Sequence, residues 1–321
     1  MRICFDSRPA ADPRGIGRYA RCLLDGLRAV AERNGGEVVE GRQPRRGDDL
    51  FHSPWMNGAL LHPRVPMVVT VHDLVSQKHA GQTLRAGLRG GMRKLAIERA
   101  ARLICPTRAV ADDLAALMRV DRERVEVIAE APAGAFRPRP ADEVAGARAA
   151  HGVPEDYLLW VGDLRHPDPH RRIPALVDAP RDLPLVLVGA AGRWARELGG
   201  AIVTGEVADD DLAALYSGAH ALVLPSSEEG FGLPAVEALA CGTPVVAADG
   251  PALREVLEGR VTFVDPGDVA GMVAAAEGAQ RPAPAPPPWT WADAAAATWQ
   301  VYERALASGD RRARGRDRGA S

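Results

Sequence analysis

Short apolar runs alternate with helical patterns along nearly the whole chain, and this alternation limits the fold more than any other feature. The runs lie at 3–5, 38–39, 65–71, 103–105 and 125–128, then at 158–161, 185–188, 201–203, 221–224, 245–248 and 261–264. Stretches with helical periodicity, such as 18–32, 84–101 and 209–216, fall between many of them. The runs have strand length, and many are apolar throughout instead of alternating. Such strands are buried on both faces, which requires parallel sheets with crossover helices. The predicted class is α/β.

A chain of 321 residues suits two domains of this kind. Pro132, Pro138 and Pro140 break the pattern, so the first doubly wound domain is placed at 1–135 and the second at 136–281. A second proline cluster, 282–288, precedes a last helical pattern at 291–307; together 282–307 reads as a linker and a terminal helix. The tail 308–321 is rich in Arg and Gly without apolar periodicity and is expected to be disordered.

Hydrophobic residues make up 46% and the formal net charge is -2, so the chain reads as soluble and globular, with no bulk field for nucleic acid. The apolar run at 66–71 falls far short of a membrane span. The N-terminus opens directly into a strand pattern, and no signal peptide is expected. Cys4, Cys22, Cys105 and Cys241 form no CxxC pair, which fits free thiols in a reducing cytoplasm better than disulfides or zinc.

The segment 220–248 carries the strongest chemical signal. It reads strand, loop, helix, strand, with Pro234 at the first helical position and Gly242 just past the end. The loop Glu228-Glu229-Gly230-Phe231-Gly232-Leu233 would present backbone N–H groups at a helix N-terminus, and its glycines allow close approach. Such a terminus suits phosphate. Glu237 is placed in the first helical turn, where the dipole keeps it ionised and able to accept from hydroxyls such as those of a ribose. The plainer alternative makes Glu237 a helix cap and Glu229 a solvated loop residue.

The run Pro225-Ser226-Ser227-Glu228-Glu229-Gly230-Phe231-Gly232-Leu233-Pro234-Ala235-Val236-Glu237, continuing to Val246, resembles the signature of glycosyltransferase family 4. The resemblance implies the GT-B fold: two Rossmann-like doubly wound domains facing a central cleft, with the C-terminal helix crossing back to the N-domain. It implies a retaining transferase with a nucleotide sugar as substrate, no cofactor and no metal. By this resemblance Glu229 contacts the transferred sugar and Glu237 the donor ribose, while the backbone of Gly230, Phe231, Gly232 and Leu233 holds the diphosphate and sugar.

The resemblance extends over most of the chain. Gly15-Ile16-Gly17-Arg18-Tyr19 is similar to the family's N-terminal glycine loop, which approaches the donor phosphate. Gly15-x-Gly17-x-x-Ala20 also matches a dinucleotide fingerprint formally. That fingerprint wants its first glycine directly after the strand, whereas Gly15 comes nine positions after Asp6. His72 ends the run 65–71, where α/β sheets bind ligands, and resembles the family's active-site histidine; alone it would read as a hydrogen-bonded edge histidine. Arg165, Arg171 and Arg172 follow the run 158–161. They are the candidates for the basic pair that holds the diphosphate, with Arg171 aligning best if the loop is three residues longer than usual. A solvated basic loop is the alternative. The backbone near Val207 would line the base pocket.

Asp209-Asp210-Asp211 invites a DxD metal reading, but aspartates ahead of a helix are caps and dipole partners. Thr107 is expected to cap the helix that follows it, and Trp289-Thr290-Trp291 resembles the start of the terminal helix. The stretch 84–102 holds Arg85, Arg89, Arg93, Lys94, Arg99 and Arg102, a basic amphipathic pattern that fits a solvated face or peripheral membrane contact.

The expected activity is retaining transfer from a nucleoside-diphosphate sugar, GDP-mannose or similar, to a hydroxyl of a glycan or lipid-linked acceptor in polysaccharide or glycolipid synthesis. His72 and Glu229 are the candidate catalytic residues. The expected location is cytoplasmic, with possible contact at the inner face of the membrane. A catalytically silent GT-B scaffold subunit and a nucleotide-sugar epimerase are the alternatives.

Overall fold

The computed structural model describes residues 1–12, 15–75 and 87–317, and resolves the alternation into two parallel six-stranded sheets. The chain divides into two compact units, Met1–Glu130 with Trp289–Ser321, and Ala131–Pro288.

The first unit contains β1 (Arg2–Phe5), α1 (Gly15–Arg33), β2 (Glu37–Glu40), β3 (Leu50–Ser53), β4 (Met67–Thr70), α2 (Gly87–Glu98), β5 (Arg102–Cys105), α3 (Arg108–Leu117) and β6 (Val125–Val127). Its strand order is β2-β1-β3-β4-β5-β6. Side chains of a strand alternate between faces. Ile3 and Phe5 therefore pack with α1 residues Leu23 and Leu27, while Cys4 joins Ile97 of α2 and Leu114 of α3 on the other face. Thr107 caps α3, its hydroxyl accepting from the Val110 N–H at 3.2 Å.

The second unit contains α4 (Ala141–His151), β7 (Leu158–Val161), α5 (Ile173–Asp178), β8 (Leu185–Val188), α6 (Arg193–Arg196), β9 (Ile202–Gly205), α7 (Asp209–Gly218), β10 (Ala221–Leu224), α8 (Leu233–Ala240), β11 (Val245–Ala248), α9 (Pro251–Leu257), β12 (Thr262–Val264) and α10 (Val269–Glu277). Its strand order is β12-β11-β10-β7-β8-β9. Leu158, Trp160, Leu187 and Val223 face Ile173 and Leu176 of α5 and Met272 of α10. Leu159, Val186 and Leu222 are fully buried as well. Burial on both faces explains why these strands read as unbroken apolar runs.

The C-terminal helix α11 (Trp291–Asp317) belongs to the first unit. Thr290 and Asp293 cap it reciprocally, the Asp293 N–H donating to the Thr290 hydroxyl at 3.1 Å and the Thr290 N–H to the Asp293 carboxylate at 3.2 Å. Gly26 of α1 lets Ala295 approach, and Trp299, Val301 and Tyr302 enter the core beside Ile3 and Val68.

Three sequence expectations change. Strand β3 was not among the apolar runs, because Leu50-Phe51-His52-Ser53 is half polar; yet it lies in the middle of the first sheet with all four residues buried. The unit boundaries fall at Glu130 and Pro288 instead of 135 and 281. The last helix does not stop at Ala307 but runs to Asp317, so most of the expected disordered tail is helical, and 318–321 lie outside the described residues.

The strand orders locate the sites. Each sheet reverses its winding once, between β1 and β3 in the first unit and between β7 and β10 in the second. Ligands of open α/β sheets bind outside the carboxyl ends of strands at such a reversal.

Candidate functional site

In the second unit, the loop after β10 leads to α8 through Gly232, whose φ of 88° is left-handed. A Cβ on Gly232 would lie 2.6 Å from Leu253 Cδ2, so both conformation and space call for glycine. Helix α8 starts at Leu233 with Pro234 in its first turn. Among the described residues no hydrogen bond is made to the N–H of Gly232 or Leu233. Phe231 is buried and Glu229 is partly buried.

Glu237 is the fifth residue of α8 and not a first-turn residue, because the helix begins one residue earlier than Pro234. That position rules out a capping role. The side chain is fully buried, with the Tyr216 hydroxyl 3.4 Å from its carboxylate.

The loop after β7 stands beside this helix terminus. The Ser227 N–H donates to the His170 carbonyl at 2.9 Å, stitching the two loops together. Buried Leu164, paired to Ala191 by an isolated bridge, anchors the first part of the loop. Asp168 caps a single 3-10 turn at Pro169–Arg171.

The three arginines differ in their contacts. Arg165 forks onto Asp163 with two contacts of 3.0 Å. Arg171 lies across Gly162 and makes longer contacts, 3.3 Å to Asp168 and 3.2 Å to the Asp163 carbonyl. Arg172 sits at a left-handed φ of 54°, joins the 3-10 turn to α5, and donates to the Pro266 carbonyl. Arg171 thus packs on Gly162 at the end of β7 through the longer contacts, while Arg172 is tied into the fold.

Val207 lies past the carboxyl end of β9, on the same edge. Asp210 pairs with Arg139 at 2.6 Å and Asp211 with His151 at 2.9 Å, so these two acids clamp the first turn of α7 to the segment around α4.

In the first unit, four strand ends carry polar side chains. Asp6, fully buried after β1, accepts a fork from Arg8 at 2.7 and 2.6 Å and the Trp55 indole N–H at 2.9 Å. His72, after β4, has Nε2 at 2.9 Å from the Pro54 carbonyl and Nδ1 at 3.0 Å from Glu130 Oε1. Burial alone would lower the His72 pKa; the Glu130 carboxylate, the Pro54 carbonyl and Asp73 outweigh it and raise the pKa above 6.5. Tyr19 packs edge-on against the ring, 4.5 Å between centroids.

Beneath this edge His52 bridges the Tyr302 hydroxyl at 2.6 Å and Thr70 Oγ1 at 3.0 Å, and the Tyr19 hydroxyl reaches the same Thr70 oxygen at 3.1 Å. Burial pushes the His52 pKa down to about 3, so the ring is neutral.

Gly15 opens α1, and Gly17 is buried against its own loop, where a Cβ would strike the carbonyls of Asp12 and Pro9. Its smallness thus serves the packing of the loop after β1. Pro13 and Arg14 lie outside the described residues. Of the basic stretch, 84–86 also lie outside them. Lys94, Arg99 and Arg102 donate to the carbonyls of Leu117, Leu61 and Glu123, while Met92 and Leu95 are exposed. Among the described residues no helix is long and apolar enough to cross a membrane.

Sequence reasoning did not single out Asp6, Arg8, His52, Trp55 or Glu130 as site residues. Asp6 closes the first apolar run and so stood where sheets bind ligands, a usable signal. Glu130 offered none, since its partner is fifty-eight positions away in sequence.

Residues 155–279 match the family described as Glycosyl transferases group 1, and residues 47–130 match Glycosyltransferase Family 4. The D-inositol 3-phosphate glycosyltransferase of Arthrobacter sp. (strain FB24) is 32% identical over 307 residues, covering 84% of this chain and 69% of that protein. The D-inositol 3-phosphate glycosyltransferase of Streptomyces bingchenggensis is 34% identical over 235 residues, 63% of this chain. The match spans only 51% of that relative's length. The crystal structure of Anabaena HepE in complex with UDP and glucose superposes with a TM-score of 0.68 over 98% of this chain and 99% of that one, at 18% identity. At that identity the likeness shows the fold, which is GT-B.

Proposed function

The chain belongs to glycosyltransferase family 4, and on that premise we propose that it transfers a sugar, with retention and without a metal, from a nucleoside-diphosphate sugar to a hydroxyl acceptor. One observation carries the proposal. At the reversal point of the second sheet, the Gly232–Leu233 helix terminus and Arg171 lie on two loops joined by the Ser227–His170 bond. Backbone N–H groups and a guanidinium together suit a diphosphate. Glu237 is assigned to the donor ribose, Glu229 to the transferred sugar, Val207 to the base pocket, and Gly15 and Gly17 to the loop that approaches the donor.

In the proposed reaction the acceptor oxygen bonds to the anomeric carbon as the bond from that carbon to the phosphate oxygen breaks. The departing phosphate oxygen takes the acceptor proton on the same face, which gives retention without a protein nucleophile. Charge gathers on the leaving diphosphate, where Arg171 and the α8 terminus stabilise it. HepE, crystallised with UDP and glucose, makes UDP-glucose a donor to test beside the expected GDP-mannose. The inositol-phosphate relatives make inositol 3-phosphate an acceptor to test beside glycans and lipid-linked sugars.

The test is a melting-temperature screen with these and other nucleotide sugars, followed by turnover of wild type and Glu229→Ala with EDTA present. One nucleotide sugar should raise the melting temperature, and Glu229→Ala should lose turnover by roughly a hundredfold. Absence of any shift sinks the proposal. Binding without turnover across the acceptor panel favours the scaffold alternative. A product of inverted configuration removes retention, and inhibition by EDTA removes metal independence.

A further inference from the structure

Both nitrogens of the His72 ring face atoms that accept hydrogen bonds. Nε2 is 2.9 Å from the Pro54 carbonyl after β3, and Nδ1 is 3.0 Å from Glu130 Oε1 after β6. A carbonyl oxygen and an ionised carboxylate donate nothing. A neutral imidazole has one N–H, so one of the two contacts would set lone pair against lone pair. A doubly protonated ring satisfies both. A neutral ring beside a protonated Glu130 would differ only by the position of one proton along the same hydrogen bond.

The remaining neighbours leave that balance in place. Asp73, next in the chain, adds a second carboxylate that favours the cation. Tyr19 of α1 contributes a ring edge, and its own hydroxyl is turned to Thr70. His52 of β3 is neutral, held between Tyr302 and Thr70. Glu130 is itself 3% exposed, so it faces His72 in place of water.

We infer that Glu130 is the positioning residue for His72, fixing it as an imidazolium with both N–H groups committed, so that His72 serves transfer through a fixed positive charge and not as a base. The inference rests on the proposed transferase reading, with His72 as the candidate catalytic residue that the sequence resemblance implies. A general base needs an available lone pair within reach of the proton it removes. His72 offers none, in keeping with the acceptor proton leaving on the phosphate oxygen.

The experiment is nitrogen-15 NMR of the full chain labelled at histidine, with the His72 signals assigned by their loss in His72→Gln. At pH 7 the wild type should show two protonated ring nitrogens on His72. Glu130→Gln keeps an oxygen that accepts from Nδ1 but removes the charge. It should lower the His72 midpoint by a unit or more, a tenfold or larger fall in proton affinity. Glu130→Asp should retain the cation and decides the matter if Glu130→Gln fails to fold. A bare ring nitrogen in the wild type at pH 7 overturns the inference, as does an unchanged midpoint in Glu130→Gln. Donor turnover should persist to higher pH in the wild type than in Glu130→Gln, and coincident pH profiles overturn the link to transfer. If the wild type turns over no nucleotide sugar, the proposed function fails, while the ring spectra still decide the state of His72.

Discussion

At the carboxyl edge of the first sheet two buried carboxylates are matched with their neighbours: Asp6 with Arg8 and Trp55, and Glu130 with His72. At the same edge of the second sheet, Gly232 and Leu233 are buried but their N–H groups make no hydrogen bond among the described residues, and the side chains of Arg165 and Arg171 are 43% and 34% exposed. The difference teaches what each edge can give a ligand. Matched buried charges cost desolvation when the chain folds and afterwards supply a fixed field. Backbone N–H groups and exposed guanidinium groups keep hydrogen-bonding capacity in hand, which an anionic ligand can use.

The strongest blow to this contrast is Gly232→Val. A β-branched residue at a left-handed φ costs roughly 1–2 kcal/mol. The 2.6 Å approach to Leu253 adds overpacking of about 1–3 kcal/mol. Nucleotide-sugar binding should be lost, measured by calorimetry, and the melting of the second unit should move down. Amide exchange in β1, β3 and β4 should stay as in the wild type. Unchanged donor affinity would remove the α8 terminus from the site.

Next in size is the pH response of two histidines in the first unit. Neutral, buried His52 binds no proton until about pH 3, whereas the unfolded ring does so below about 6.5. Stability should therefore fall as pH drops through that window, with the unfolding equilibrium moving up to about tenfold per pH unit. His72 works in the other direction. Its folded pKa is raised, so its contribution is complete below about 6.5 and is lost as pH rises through the folded midpoint. Exchange of β3 and β4 amides, corrected for intrinsic rates, should be slowest near pH 6.5. Amides of β7 and β10 serve as the reference. A common profile for both sheets would erase the contrast.

The same contrast explains what the sequence made legible. The helix-terminus part of the second site is written in one contiguous stretch, since Glu229, Gly232 and Glu237 share a loop and a helix that has Pro234 in its first turn. The first is assembled from four strand ends, and nothing local ties His72 to Glu130 or Asp6 to Trp55. The inner strands β4, β8, β10 and β11 showed as apolar runs because burial on two faces demands them. Strand β3 did not, because His52 and Ser53 are polar yet buried: His52 finds partners on α11 and β4, and Ser53 donates to the Trp55 carbonyl. The satisfaction of His52 by distant residues cannot be seen in a local window, and here such pairing hid both a central strand and the polar cluster of the first unit.

The smallest expected effects resolve the arginine loop, which the sequence left open among three residues. Arg171 lies at the end of β7, and its contacts at 3.2 and 3.3 Å are the weaker ones, so it can turn to a phosphate at little loss. Arg171→Gln should weaken donor binding by about tenfold, the value of one hydrogen bond between charged groups. Arg165 is held by two 3.0 Å contacts to Asp163 and must give them up to reach a ligand, so Arg165→Gln should cost about threefold or less. Arg172→Gln should lower the melting temperature and leave affinity in place, because its guanidinium is bound to the Pro266 carbonyl and its backbone joins the 3-10 turn to α5. Titration of the three variants with the donor found in the screen checks the order. If Arg172→Gln weakens binding most, the cation that meets the diphosphate is the one the fold holds tightest, and the second edge resembles the first more than its open loops suggest.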